Sequence, residues 1–98
     1  MQKCVLVIMA DIQLKSGVEE EFKTWFAESN ENLSKINGFI SRRLLKSNDG
    51  THRVIVEHES NETFSAMMQN EEHAKIQAKA FSFMASPPTP KIYNIVTE

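Results

Sequence analysis

The sequence predicts an α+β domain in which a four-stranded antiparallel sheet carries its helices on one face, in the order β-α-β-β-α-α-β. Three observations lead there. Runs rich in Val, Ile and Leu stand near both ends of the chain and on either side of Asp49-Gly50. The segments between them repeat their apolar residues at helical spacing. The two middle strands are joined by a short turn, a connection that only an antiparallel pair allows.

Each element has a local reason. Cys4 to Leu14 reads as a strand because of its Val and Ile content. Ser16-Gly17-Val18-Glu19 fits a capping box at a helix start, and Glu19, Glu20 and Glu21 suit the positive end of that helix dipole. Val18, Phe22, Trp25, Phe26, Ser29, Leu33 and Ile36 form one largely apolar stripe, which Asn37-Gly38 ends. Phe39 to Lys46 is the second strand, Ser47-Asn48-Asp49-Gly50 the turn and Thr51 to Glu59 the third strand. Ser60 or Asn61 caps a short helix to about Gln69, and Asn70 caps another to about Met84. Ser86-Pro87-Pro88-Thr89-Pro90 is extended, and Ile92 to Val96 forms the last strand.

The 98 residues suit one domain spanning the whole chain, without linker or repeat. A formal net charge of −2 gives no electrostatic case for nucleic acid or an anionic membrane. Lys3 and the apolar run Cys4 to Ala10 loosely resemble a signal peptide. The run is short, lacks a small-residue cleavage site and is interrupted by Asp11, so a buried strand and a cytoplasmic location are expected. No stretch approaches the length of a membrane-spanning helix. The single Cys4 excludes an internal disulfide or a cysteine-based zinc cage, and is read as a small hydrophobe.

Both faces of the first strand are apolar, with Leu6, Ile8, Ala10 and Ile12 on one and Val5, Val7 and Met9 on the other. The last strand repeats the pattern with Tyr93 and Ile95 against Ile92 and Val96. Helices cover only one face of such a sheet, so a homodimer joined sheet to sheet is expected.

At three places the residues carry a likeness: Lys15-Ser16-Gly17 with Glu21-Phe22; Asn37 through Leu45; and Val54 through Ser60 leading into Glu62-Thr63-Phe64. Here the chain resembles the antibiotic biosynthesis monooxygenase (ABM) family, small dimeric α+β barrels of ferredoxin-like topology. The resemblance implies oxygenase or related small-molecule chemistry. It also marks departures. Family members often have Trp at the position of His58 and His at that of Met67. The haem-degrading branch uses an Asn, a Trp and a haem-ligating His at positions that correspond to Ala10, Met67 and Gln77. None is kept, so haem degradation is disfavoured.

Two histidines are candidate bases. His58 ends the face that carries Val54 and Val56, where a neutral imidazole could take a proton from an acidic phenol or enol. The alternative is a rim histidine bonded to a neighbour. His73 shares a stripe with Ile76, Ala80 and Phe83, and the adjacent helix start favours its neutral form; otherwise it is a partly exposed first-turn residue. His52 follows a turn and is expected in solvent. With the glutamates these residues lack tight metal-ligand spacing, so no metal is expected.

Phe22, Trp25, Phe64, Met67 and Phe81 are the expected ligand-binding wall, an adaptable apolar surface for a flat aromatic molecule. Arg42 and Arg43 lie on opposite strand faces. Arg42 is the one assigned to an anionic substrate group, with ion pairing to Glu as its competing role. There is no phosphate-binding glycine loop, nucleophile elbow or catalytic triad, so no bound organic cofactor is expected. The expectation is a cofactor-independent monooxygenase acting on a small aromatic or quinol-type substrate. The alternatives are a non-catalytic dimeric ligand-binding module and an isomerase of an enolisable molecule.

Overall fold

A computed structural model describes residues 6–98; Cys4 and Val5 lie outside the described residues. The elements are β1 (Leu6–Ile12), α1 (Glu19–Leu33), β2 (Phe39–Lys46), β3 (His52–His58), α2 (Asn61–Met68), α3 (Glu71–Ser82) and β4 (Lys91–Asn94). They form the ferredoxin-like arrangement, an antiparallel sheet in the order β2-β3-β1-β4. Pairing of Leu6 with His58, Ile8 with Val56 and Arg42 with Val56 puts these side chains on one face, because residues opposite each other in a ladder share a side.

That face is the helix side, and two apolar clusters fill it. Ile12, Phe22, Phe26, Phe83 and Met84 form one; Leu33, Phe39, Met67 and Ile76 form the other. In α1 the buried residues are Phe22, Phe26, Ser29 and Leu33, the predicted stripe at i, i+4, i+7 and i+11. A bulge between Phe39 and Ser41 shifts the β2–β3 register and sets Phe39 opposite His58.

Two element ends differ from the sequence reading. The first helix has no capping box: Val18 is its N-cap and no side chain caps it. Gly17, at φ 79°, turns the chain after Ser16, which leaves Ser16 two residues before the N-cap. The capping box forms instead at α2, where Ser60 Oγ accepts from Thr63 N at 3.1 Å and Thr63 Oγ1 accepts from Ser60 N at 3.2 Å. Among the described residues the last strand runs from Lys91 to Asn94 and pairs with Met9 to Leu6 of β1. Before it, Lys15 N donates to Phe83 O at 2.8 Å and Ala85 N to Gln13 O at 2.7 Å, fastening the chain after α3 to the end of β1.

The other sheet face carries Val7, Met9, Ile55, Leu45 and Tyr93 between two ion pairs, Arg43–Glu57 at 2.8 Å and Arg53–Asp11 at 2.7 Å. Leu45 and Tyr93 are 44% and 45% exposed in a single chain.

Candidate active site

Between the helix side of the sheet and helices α1 and α3 lies a cavity of about 210 Å³. Ala10, Ile12, Val54 and Val56 form its floor. Phe22 and Phe26 come from α1, Met67 from α2, and Ile76, Ala80 and Phe81 from α3; Pro88 and Pro90 complete the lining. The walls are apolar because every element turns its buried stripe inward here. Three polar side chains interrupt them: Arg42, His73 and Gln77. A larger hollow of about 560 Å³ follows the β2 edge against α1. Arg42 borders it too, but its Lys46 and Arg43 are already paired, with Glu19 at 3.1 Å and with Glu57 at 2.8 Å, which makes it the weaker candidate.

Arg42 is held on three sides. Its Nε donates to Asn30 Oδ1 at 2.7 Å, and its Nη2 donates to the Phe26 carbonyl at 3.0 Å and to the Ser29 hydroxyl. The guanidinium lies 3.9 Å from the centre of the Phe26 ring. Burial lowers its pKa to about 10, so it stays charged at neutral pH.

His73 sits in the first turn of α3, its backbone N–H capped by Asn70 Oδ1 at 3.1 Å. Its Nδ1 is buried and meets no hydrogen-bond partner among the described residues. Burial, and then the charge of Arg42, push its pKa below the ordinary histidine value. It is therefore a neutral imidazole at pH 7.

His58 is fully buried at 0% exposure and is not part of the cavity lining. Its Nδ1 meets Thr63 Oγ1 at 2.8 Å and its Nε2 meets Met67 Sδ at 3.3 Å. The Thr63 hydroxyl lies 3.1 Å from the Ser60 carbonyl, to which it donates, so its oxygen accepts from His58 Nδ1–H. The remaining lone pair at Nε2 then faces the Met67 thioether. Burial lowers the His58 pKa, the nearby His73 adds to this and Glu59 opposes it.

Of the predicted ligand-binding residues, Phe22, Met67, Phe81 and Arg42 line the cavity. Trp25 stands behind that wall, its ring 5.8 Å from Phe22 and 5.6 Å from Phe83. Phe64 packs edge-on against His58 at 5.7 Å. His52 is buried at 9% exposure rather than in solvent, because β3 already begins there and turns it toward Glu19, 3.7 Å away. Ala10, Met67 and Gln77 all line the cavity. Gln77 is the polar group the sequence reading did not place in the site. Its offset of four from His73 was the available signal. Among the described residues no group of three or more His, Cys, Asp or Glu side chains is placed to hold a metal ion, and no helix is long and apolar enough to cross a membrane.

No curated protein matches the chain. Solved structures do match it in fold. SnoaB, a cofactor-independent oxygenase from Streptomyces nogalater, superposes with a TM-score of 0.83 at 11% identity, over 98% of this chain and 97% of the other. A protein from Bordetella bronchiseptica that carries the antibiotic biosynthesis monooxygenase name gives 0.84 at 16% identity, over 97% and 100%. A conserved protein from Methanosarcina mazei Go1 gives 0.80 at 14% identity, over 93% and 92%. The antibiotic biosynthesis monooxygenase family model matches residues 5–79, most of the chain. With its sheet order, its helix-covered cavity and that match, this chain belongs to the antibiotic biosynthesis monooxygenase family.

Proposed function

We propose that the protein is a cofactor-independent monooxygenase that oxidises a small hydroxylated aromatic in the α1–α3 cavity, with His73 as the base. The carrying observation is the His73 Nδ1, buried and without a hydrogen-bond partner among the described residues, on a side chain that lines the apolar cavity. An unsatisfied nitrogen in such a place costs free energy unless a ligand completes it. The family match and the oxygenase name of SnoaB support the reaction class.

In the proposed chemistry His73 takes the proton of an aromatic hydroxyl, leaving an electron-rich phenolate. Its para carbon, bearing hydrogen, forms a C–O bond to dioxygen, and the distal oxygen takes a proton to give a hydroperoxide. Loss of the carbon-bound proton and cleavage of the O–O bond then release water and leave a quinone carbonyl. One oxygen atom ends in the product and the other in water; the ring loses four electrons and dioxygen gains them. The apolar walls hold the ring in place and keep bulk water from the anion. His58 supports Met67 from behind, because its free lone pair meets the thioether rather than the cavity.

A second copy packed on the outer sheet face belongs to the same proposal, since it would cover Leu45 and Tyr93. Light scattering should then report twice 11.2 kDa. The chemical test is oxygen uptake with a panel of para-unsubstituted phenols and quinols. His73→Gln should lower the rate by about 100-fold or more, the usual scale for removing a general base. Uptake unchanged in that variant would remove His73 from the mechanism. Saturable ligand binding without any uptake would leave a binding module.

A further inference from the structure

Arg42 is a cation without an anion. Its partners Asn30, Ser29 and the Phe26 carbonyl are all neutral. Among the described residues no carboxylate lies within ion-pair distance of it, and none accepts a hydrogen bond from its Nη1. The other two arginines of the sheet differ: Arg43 pairs with Glu57 and Arg53 with Asp11, both on the outer face. Burying a charge without a counter-charge is unfavourable, and the fold nevertheless braces this one in place. Among the described residues no carboxylate lines the cavity.

Size is the second observation. An apolar cavity of ~150 Å³ admits benzene. The cavity of about 210 Å³ therefore suits one substituted ring better than several fused rings.

We infer that the cavity selects a single-ring aromatic ligand carrying an ionised oxygen group, a carboxylate or an acidic enolate, with Arg42 as its counter-charge. This names the substrate class of the site and rests on reading the cavity as the reaction site. Arg42 would donate from Nη1 to the anionic group while Phe22, Phe81 and Met67 pack the ring. The same charge would stabilise the phenolate formed when His73 removes a proton.

Calorimetry at pH 7 with salicylate and with salicylamide, its uncharged analogue of the same shape, tests the inference. Salicylate should bind at least ~10-fold more tightly, the scale of one charge-assisted hydrogen bond. Arg42→Gln should erase that preference, and Arg42→Lys should keep part of it. Equal affinity of the two probes for the native protein overturns the inference, as does a preference that survives in folded Arg42→Gln. If Arg42→Gln does not fold, the native comparison decides together with Arg42→Lys. 9-Anthroate, with three fused rings, should bind at least ~10-fold more weakly than salicylate; equal binding overturns the size limit. His73→Gln should retain the salicylate preference. Absence of oxygen uptake with the preference intact would therefore fault the proposed reaction and not the anion site.

Discussion

Two neutral histidines, His58 buried and His73 half-buried, make the fold sensitive to mild acid. His58 and His73 both have pKa values below the ordinary 6.5, principally through burial. The unfolded chain protonates each near pH 6.5, whereas the folded chain resists until lower pH. Between those values the unfolded state binds more protons, so stability falls as pH falls. The maximum slope is about 1.4 kcal/mol per pH unit for each histidine. Going from pH 7.5 to 5.5 crosses about one unit below 6.5, so the two together cost at most about 2.7 kcal/mol. That is a large share of the roughly 5–15 kcal/mol that holds a small domain. With a urea m-value of about 1–3 kcal/mol/M, the midpoint should drop by a measurable amount, at most roughly 1–3 M. The assay is urea unfolding followed by Trp25 fluorescence at both pH values, in the native protein and in His58→Gln and His73→Gln. Each variant should lose part of the pH dependence, whatever its stability at pH 7.5. Asp11, Glu19 and Asp49 also have lowered pKa values, but from ordinary values of 3.8, 4.5 and 3.8, so they act in a more acidic window. An unchanged midpoint between pH 7.5 and 5.5 would refute the picture of two histidines held neutral by burial.

Packing gives two further outcomes. Phe22 is 1% exposed and touches the rings of Trp25, Phe26 and Phe83, so Phe22→Ala should cost about 3–5 kcal/mol in urea unfolding; a loss below about 1 kcal/mol would mean that the aromatic cluster does not hold α1 to the sheet. Gly38 has φ 83° and a Cβ there would meet the Thr63 Cβ at 2.3 Å, so Gly38→Ala should destabilise by about 1–3 kcal/mol or more. Adding Thr63→Gly should recover the steric part, which a double-mutant cycle measures; strict additivity would show that the two positions do not press on each other.

Local signals carried the fold. The α1 stripe from Phe22 to Leu33, the Asp49-Gly50 turn and the Asn70 cap each depend on neighbours within a few residues, so periodicity and turn chemistry place them. The errors also have local causes. At Ser16 the motif for a capping box is present, but Gly17 turns the chain before the helix begins. At His52 the adjacent turn suggested exposure, yet the strand pairing with Ile12 buries it.

The site follows a different rule. Arg42 stands thirty-one residues before His73 in the sequence, and only the β2–β3 ladder and the packing of α3 bring both to one cavity. Sequence alone named both residues as candidates but left Arg42 with two roles and His58 equal to His73. Tertiary structure places Arg42 and His73, but not His58, on the cavity lining, because contacts and burial, not residue type, decide which polar side chains border it. Amino-acid order determined which faces are apolar and in what succession the elements run; the closing of helices over the sheet determined which polar atoms were left for something else to meet.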